Sequence, residues 1–180
     1  MTHAADPRRD NLGYFSLAAA RANPERVALI DLSAPAPREV CYRELEERLE
    51  RFAALVSALG LKPGDRLAMA VSNRFEFVEI MFGAMRAGLV PVPLNTKLGA
   101  DTLAYTIADS GCVAAVVEPA ANPHMVGVVE AAEIATRLAF DPVPRGWLAY
   151  ETALQGAPAN FAPPALPGDH PSFPPYTSGS

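Results

Sequence analysis

The sequence predicts an α/β fold in which a parallel β-sheet is flanked by helices. Between residues 66 and 117, short apolar runs that suit strands alternate with longer segments of helical periodicity. Turn signals rich in glycine and proline separate the two kinds of segment. A chain of 180 residues is also long enough to bury a core of its own.

The amino-terminal part of the chain precedes this alternation. The sequence predicts a helix over residues 12–22, which ends at Asn23 and Pro24. A β-hairpin follows, with one strand over residues 27–30 and a second over residues 39–42. The turn between them contains two prolines, at residues 35 and 37.

The clearest helix is predicted over residues 43–59. Its apolar residues are spaced by 4, 3, 4 and 3 positions, which places them on one face of a helix. They are Leu45, Leu49, Phe52, Val56 and Leu59. Charged residues occupy the other positions, and Gly60 suits a left-handed helix end. We interpret the apolar face as a core-packing surface rather than a coiled coil, because two heptads are too few.

The alternating region contains three strands and two helices. The predicted strands cover residues 66–71, 89–94 and 112–117, and the predicted helices cover residues 75–87 and 101–109. Ser72 or Asn73 can cap the first of these helices. Pro91 and Pro93 cannot donate ladder hydrogen bonds, so they indicate an edge position for the middle strand.

The patterns outside this region are weaker. Helices are expected over residues 126–139 and 147–154. Residues 156–175 are rich in proline and alanine and are interpreted as a surface connector. The polar residues 1–11 are expected to be disordered, which leaves residues 12–155 as the α/β unit.

Composition argues against several classes of function. The net charge is −5 and no block of Lys or Arg occurs, which argues against nucleic acid as a partner. No apolar stretch reaches the roughly 18 residues of a membrane span, and the amino terminus lacks the apolar core of a secretory signal. Cys41 and Cys112 are expected to be buried free thiols of a reducing compartment, so the expected location is cytoplasmic.

Charged and metal-binding side chains give few candidates. His3, His124 and His170 lack a second ligand at metal spacing, so no metal site is expected. The acidic residues of the helices are interpreted as solvated or helix-end charges; they are Glu76, Glu79, Asp101 and Asp109. Arg86 is interpreted as a helix C-terminal cation, with contact to a coenzyme phosphate as the alternative.

The candidate site is the last segment of the chain, residues 176–180. A tract of hydroxyl side chains and glycine can surround phosphate oxygens with side-chain and backbone donors, because glycine permits close approach. The candidate cofactor-binding residues are Thr177, Ser178, Gly179 and Ser180. No catalytic residue and no nucleophile is identified.

Several tracts occur in the order found in one enzyme superfamily. They are residues 22–30, 42–45, 60–68, 73–77, 83–88, 90–95, 103–111, 147–151 and 176–180. In this set the chain resembles the N-terminal part of an acyl-CoA synthetase of the adenylate-forming superfamily. The final tract resembles the start of its Thr-Ser-Gly-[Ser/Thr]-Thr-Gly-x-Pro-Lys-Gly phosphate loop. The resemblance covers most of residues 12–180.

The resemblance implies a two-step reaction. A carboxylic acid is activated by ATP and Mg²⁺ as an acyl-adenylate, and coenzyme A then takes the acyl group. Most of the expected machinery would follow position 180, so the chain is expected to be an N-terminal fragment with a truncated phosphate loop, inactive alone. If three charge-assisted hydrogen bonds are missing, about 5–9 kcal/mol is lost. Tight binding of ATP, Mg²⁺ or coenzyme A to this chain is therefore not expected.

Two alternative functions stay open. The chain could be one subunit of a split enzyme whose remainder is a docking partner, or a non-catalytic α/β binding or regulatory module. One tract departs from the family pattern, because Pro171, Pro174 and Pro175 replace an apolar strand before the loop. This departure is compatible with damage, with drift after loss of function, or with an artificial boundary.

Overall fold

The computed structural model describes residues 6–176 of the chain. A 3₁₀ turn, Leu12–Tyr14, precedes the other elements. The helices are α1 (Leu17–Ala22), α2 (Tyr42–Ala58), α3 (Phe75–Arg86), α4 (Ala100–Ser110), α5 (His124–Ala131) and α6 (Tyr150–Gln155). The strands are β1 (Val27–Asp31), β2 (Arg38–Cys41), β3 (Arg66–Ala70), β4 (Val90–Pro93), β5 (Cys112–Val117), β6 (Thr136–Ala139) and β7 (Leu148–Ala149).

Five strands form one parallel sheet in the order β4-β3-β5-β6-β7. This confirms the predicted α/β class, with a parallel sheet flanked by helices. Strand β4 follows β3 in sequence and lies on one side of it, whereas the next strand, β5, lies on the other side of β3. Consequently, the strand order reverses between β3 and β5, the point at which sheets of this kind form a crevice. The proline-containing strand β4 lies at the edge, as predicted.

The sheet is covered on both faces, as a parallel sheet requires. Leu67 and Met69 of the central strand β3 point into one core, together with Phe52 of α2 and Ile80 of α3. Ala68 and Ala70 point into a second core, formed mainly with side chains of α4 and α5. The residues of β3 from position 67 to 70 are almost completely buried.

The amino-terminal region packs outside the main sheet. Strands β1 and β2 form a separate antiparallel hairpin, as predicted. The predicted helix over residues 12–22 is interrupted, because the 3₁₀ turn and α1 are separate elements. Asn11 is buried, accepts a hydrogen bond from the backbone N–H of Gly13 at 2.8 Å, and donates one to the carbonyl of Arg86 at 3.2 Å.

The later part of the chain corrects two expectations. The predicted helix over residues 126–139 is wrong in its second half, since α5 ends at Ala131 and residues 136–139 form β6. The predicted helix over residues 147–154 begins instead with the short strand β7. Both corrections have one cause: strand pairing with a neighbour in the sheet outweighs local helical preference. Residues 136–139 pair with β5, and β7 pairs with β6.

Residues 156–176 contain no helix or strand and run across the sheet edge at which the strands begin. Phe161 packs against the first core, and the Nε2 of His170 lies 2.8 Å from the carbonyl oxygen of Gly88, just before β4. His170 is therefore partly buried rather than a plain surface residue. The division of the chain at residues 11, 155 and 175 stays a prediction.

Gly88 offers a test of how closely residues 156–176 pack against the chain just before β4. Its φ of +76° is in the left-handed region, and a Cβ there would lie 2.9 Å from Cδ2 of Leu166 and 3.0 Å from Cβ of Pro63. We expect Gly88→Ala to lower the free energy of unfolding by about 1–3 kcal/mol. Urea-induced unfolding followed by circular dichroism measures this loss.

Gly127 supplies the control. It lies within helix α5, where an added Cβ meets nothing within 4 Å and φ is not positive. Gly127→Ala should therefore raise the free energy of unfolding by roughly 0.5–1 kcal/mol. Equal effects of the two substitutions would contradict the close packing inferred at Gly88.

Candidate functional site

The four predicted phosphate-binding residues, Thr177 to Ser180, lie outside the described residues. Tyr176 comes directly before them, and its hydroxyl donates a hydrogen bond to Oδ2 of Asp109 at 2.8 Å. Desolvation and the neighbouring carboxylate of Asp109 raise the pKa of Tyr176. The approach to the predicted loop is therefore held beside the C-terminal end of α4. Residues 171–176 form no strand, as their prolines predicted.

The opposite edge of the sheet, where the strands end, carries a polar network. Ser72 follows β3 and Glu118 follows β5, so the reversal of strand order brings them together. The backbone N–H of Ser72 donates to Oε2 of Glu118 at 2.8 Å, and its hydroxyl donates at 2.5 Å. Arg74 donates to the other carboxylate oxygen of Glu118 at 3.1 Å.

Arg74 supplies a positive charge to this network, and its guanidinium group is paired with two carboxylates. Its Nε donates to Glu76 at 2.5 Å, in addition to the bond with Glu118. Its guanidinium carbon also lies 4.6 Å from the ring centroid of Phe140. With two carboxylates bound to one guanidinium, this cluster does not attract a phosphate in the arrangement observed.

The contacts of Glu118 explain why its pKa differs from that of a free glutamate. Burial opposes its ionisation, but hydrogen bonds from Ser72 and Arg74 outweigh burial and lower the pKa of Glu118. The ionised carboxylate is thus the form that joins the ends of β3 and β5.

A cavity of about 330 Å³ opens beside this network, at the ends of β6 and β7. Its walls combine charged and aromatic side chains, including Arg74, Phe140, Asp141, Tyr150, Glu151 and Thr152. The ring of Tyr150 lies 4.4 Å from that of Phe140 and 6.0 Å from that of Phe52, measured between centroids. The cavity therefore extends the edge at which a sheet of this topology can bind ligands.

A buried ionic network fixes Tyr150. Glu79 of α3 is completely buried and accepts hydrogen bonds from Arg48 of α2 and from the hydroxyl of Tyr150. Arg48 also donates to Glu151 at 3.0 Å. Burial raises the pKa of Glu79, although the pairing with Arg48 opposes the increase. The expectation that Glu79 is a solvated charge is therefore wrong, because the network joins three helices.

Arg86 is also buried, and carboxylate groups in contact with it balance its positive charge. It donates to the carbonyl of Gly13 at 2.9 Å, to Glu46 at 2.7 Å and to Glu50 at 3.1 Å. Its guanidinium carbon lies 4.4 Å from the ring centroid of Tyr14. Arg86 anchors the amino-terminal segment to α2 and α3, and these contacts leave no free donor face for a coenzyme phosphate.

Residues 6–176 carry neither a cluster of metal-ligating side chains nor a helix that could cross a membrane. Within this range, no three His, Cys, Asp or Glu side chains are grouped so as to hold a metal ion. None of the helices described is both long and apolar enough to cross a membrane. Cys41 and Cys112 are free thiols, but each is only partly buried, which corrects the expectation of full burial.

The described residues form a parallel α/β sheet with helices on both faces, and the predicted phosphate-binding segment follows them in the sequence. The sequence profile of the AMP-binding enzyme family matches residues 17–180. The chain therefore belongs to the AMP-binding enzyme family.

Curated relatives agree with this assignment. The chain is 30% identical over 159 residues to the 4-hydroxybenzoate–CoA/benzoate–CoA ligase of Rhodopseudomonas palustris, a match that covers 86% of this chain and 28% of that protein. It is 32% identical over 101 residues to the long-chain-fatty-acid–CoA ligase FadD13 of Mycobacterium tuberculosis, covering 56% of this chain and 20% of the relative. The matches thus span less than a third of these relatives.

Solved structures show the same fold. The N-terminal domain of FACL13 from Mycobacterium tuberculosis superposes with a TM-score of 0.78 at 25% identity, covering 94% of this chain and 42% of that one. A benzoate CoA ligase from Burkholderia xenovorans gives a TM-score of 0.78 at 24% identity, covering 91% and 32%. These superpositions confirm that the chain has the N-terminal fold of adenylate-forming ligases.

Sequence reasoning missed the polar network at the strand ends. Ser72, Arg74 and Glu118 each follow or flank a predicted strand, and the carboxyl ends of neighbouring parallel strands meet at one edge. The meeting of parallel strand ends at one edge was therefore the sequence signal from which this site could have been predicted. The Glu79–Tyr150 contact had no comparable signal, because the two residues are far apart in sequence and Tyr150 belongs to an element with a weak pattern.

The first prediction from this region concerns Glu79. Glu79→Gln removes the buried charge that Arg48 and Tyr150 contact, so the free energy of unfolding should fall by about 3 kcal/mol. Chemical denaturation measures the loss. Glu47→Gln on the exposed face of α2 is the control and should change stability by no more than about 0.5 kcal/mol. A loss no larger than the control's would contradict the network's structural role.

The second prediction concerns Glu118 and pH. Because its pKa is lowered on folding, Glu118 stabilises the fold above the 4.5 of a free glutamate, and this contribution disappears as the pH falls through the lowered value. Glu118→Gln should therefore be less stable than the wild type near neutral pH, and the difference should narrow in acid. Thermal unfolding at several pH values measures this difference. A difference in stability that stays constant with pH would contradict the mechanism.

Proposed function

We propose that this chain supplies the N-terminal α/β part of an ATP-dependent acyl-CoA ligase. Such an enzyme transfers the AMP moiety of ATP to a carboxylic acid with release of pyrophosphate. It then transfers the acyl group to the thiol of coenzyme A with release of AMP. The family match over residues 17–180 carries the proposal, because it includes both the α/β unit and the four residues of the predicted loop.

The proposal assigns distinct tasks to the parts of this chain. Thr177, Ser178, Gly179 and Ser180 would contribute hydroxyl and backbone donors to the phosphates of ATP. Bound ATP supplies the activated phosphorus, and Mg²⁺ would offset its charge. The described residues form the scaffold that carries the loop, with Tyr176 hydrogen-bonded to Asp109 directly before it.

Two arginines of the described residues are already paired with carboxylates. Arg74 and Arg86 are each paired with two carboxylates, so neither offers a free cation. The proposal therefore places the charge that neutralises phosphate in the part of the ligase that the match leaves uncovered. The relatives' names include both aromatic and long-chain fatty acids, and we propose only a carboxylic acid as substrate.

The proposal also concerns the cellular compartment in which the enzyme works. Both cysteines are free, which suits a reducing environment in which ATP and coenzyme A are available. We therefore propose that the enzyme is cytoplasmic.

A chimera tests the function directly. Residues 17–180 would replace the matched segment of the Rhodopseudomonas palustris ligase, with the relative's own sequence continuing the phosphate loop. Benzoate-dependent ATP–pyrophosphate exchange should be retained by the chimera and be absent from the relative lacking the segment. A chimera with native-like circular dichroism and no exchange would overturn the proposal.

The 180-residue chain alone should show no exchange. If about three charge-assisted hydrogen bonds to ATP come from the part of the ligase that the match leaves uncovered, their loss is comparable with the roughly 8 kcal/mol of a micromolar site. Isothermal titration with MgATP should accordingly show no binding tighter than about 1 mM. Exchange catalysed by the purified chain would contradict this prediction.

A further inference from the structure

Residues 170–176 cross the edge of the sheet at which the strands begin. The first residue of this segment contacts Gly88, shortly before β4, and the last contacts Asp109, shortly before β5. Strands β4 and β5 lie on opposite sides of β3. The segment therefore passes the start of the central strand and is attached at both of its ends.

His170 makes the first attachment. Its Nε2 lies 2.8 Å from the carbonyl oxygen of Gly88, and Nε2 must carry the hydrogen because a carbonyl oxygen only accepts. A turn orients the residue, since the backbone N–H of His170 donates to the carbonyl of Pro167 at 3.0 Å. The carbonyl of Gly88 also accepts the N–H of Gly64 at 2.8 Å, so the acceptor belongs to an ordered part of the fold.

Tyr176 makes the second attachment. Its hydroxyl donates to Oδ2 of Asp109 at 2.8 Å. The other oxygen of this carboxylate, Oδ1, accepts the hydroxyl of Tyr105 at 3.4 Å. The Tyr105 contact stays within α4, whereas the Tyr176 contact joins the segment to that helix.

Between the two attachments the segment is stiff but loosely packed. Pro171, Pro174 and Pro175 have a fixed φ and no backbone N–H, which blocks ladder pairing at three of its positions. Phe173 is 40% exposed, and a cavity of about 220 Å³ lies between the start of the segment and Met85 of α3. The two side-chain hydrogen bonds, more than packing, therefore hold the segment in place.

The segment is long enough for the distance that it crosses. Two spacings between neighbouring strands amount to roughly 10 Å, and six residues in a polyproline conformation extend up to about 19 Å. The prolines also restrict the free chain, so less conformational entropy is lost when the segment is held.

We propose that His170 and Tyr176 are positioning residues, which hold residues 170–176 as a brace across the starts of β4, β3 and β5. Thr177, directly after the brace, is the first of the four predicted phosphate-binding residues. The brace thereby fixes the point from which those residues extend. The brace itself stands on the contacts of His170 and Tyr176, whereas its role toward a phosphate rests on the proposed function.

Nuclear magnetic resonance relaxation of the isotope-labelled 180-residue chain tests the brace. In the wild type, the backbone amides of Ser172, Phe173 and Tyr176 should have order parameters of about 0.8. His170→Ala should lower the values at residues 172 and 173 below about 0.6, and Tyr176→Phe should do so at residue 176, because each removes one attachment. The amides of α4 should be unchanged in both variants.

Two further variants separate the attachments from a general loss of structure. His170→Gln keeps a side-chain N–H that can reach the carbonyl of Gly88, so it should restore the wild-type order parameters. Tyr105→Phe removes a hydroxyl from the same carboxylate of Asp109 and should leave residues 172–176 unchanged. The brace is wrong if these residues are already mobile in the wild type, if neither His170→Ala nor Tyr176→Phe changes them, or if His170→Gln behaves like His170→Ala.

The chimera with the Rhodopseudomonas palustris ligase tests the consequence for the nucleotide. In the pyrophosphate-exchange assay, His170→Ala and Tyr176→Phe should each raise the KM for ATP about tenfold, with little change in kcat or in the KM for benzoate. Tyr105→Phe should change none of the three constants.

The two measurements separate the brace from the proposed function. An active chimera whose KM for ATP is insensitive to both substitutions would overturn the positioning role and leave the proposed function intact. A folded chimera without exchange would remove the proposed function, and with it the role toward ATP, while the expected order parameters would still establish the brace.

Discussion

The fold depends on β3 being buried on both faces. A parallel sheet exposes no face to water, so each residue of its central strand must meet a helix layer on one side or the other. Leu67 and Met69 fill the layer formed by α2, α3 and α6, while Ala68 and Ala70 allow α4 and α5 to approach closely on the other side. The two faces of β3 therefore present large side chains to one helix layer and small side chains to the other.

The same constraint positions the polar groups. Because β3 and β5 are adjacent and parallel, the residues that follow them meet, and the carboxylate of Glu118 reaches the backbone of Ser72. Arg74 then lies between two carboxylates instead of facing open solvent. The cluster is a consequence of topology, and its internal pairing makes it a structural connection more than a free binding group.

Sequence patterns predicted the elements whose signal is local. Helix α2 has its apolar face at helical spacing, and β4 has prolines that exclude a central position, so both were correct. Residues 136–139 were assigned to a helix because Ile134 and Leu138 continue the apolar spacing of α5. In the structure, Glu133 has a φ of +53°, which ends the helix, and pairing with β5 converts the following residues to a strand. Such pairing depends on residues about twenty positions away and has no local signature.

The candidate site divides in the same way. The four phosphate-binding residues Thr177 to Ser180 stay a prediction from residue type and from the order of the preceding tracts, because they lie outside the described residues. The residue that caps helix α3 could not be predicted from the sequence. The backbone N–H of Phe75 donates to the carboxylate of Asp31 in the hairpin, rather than to Ser72 or Asn73. This hydrogen bond also joins the hairpin to the first turn of the helix that follows β3.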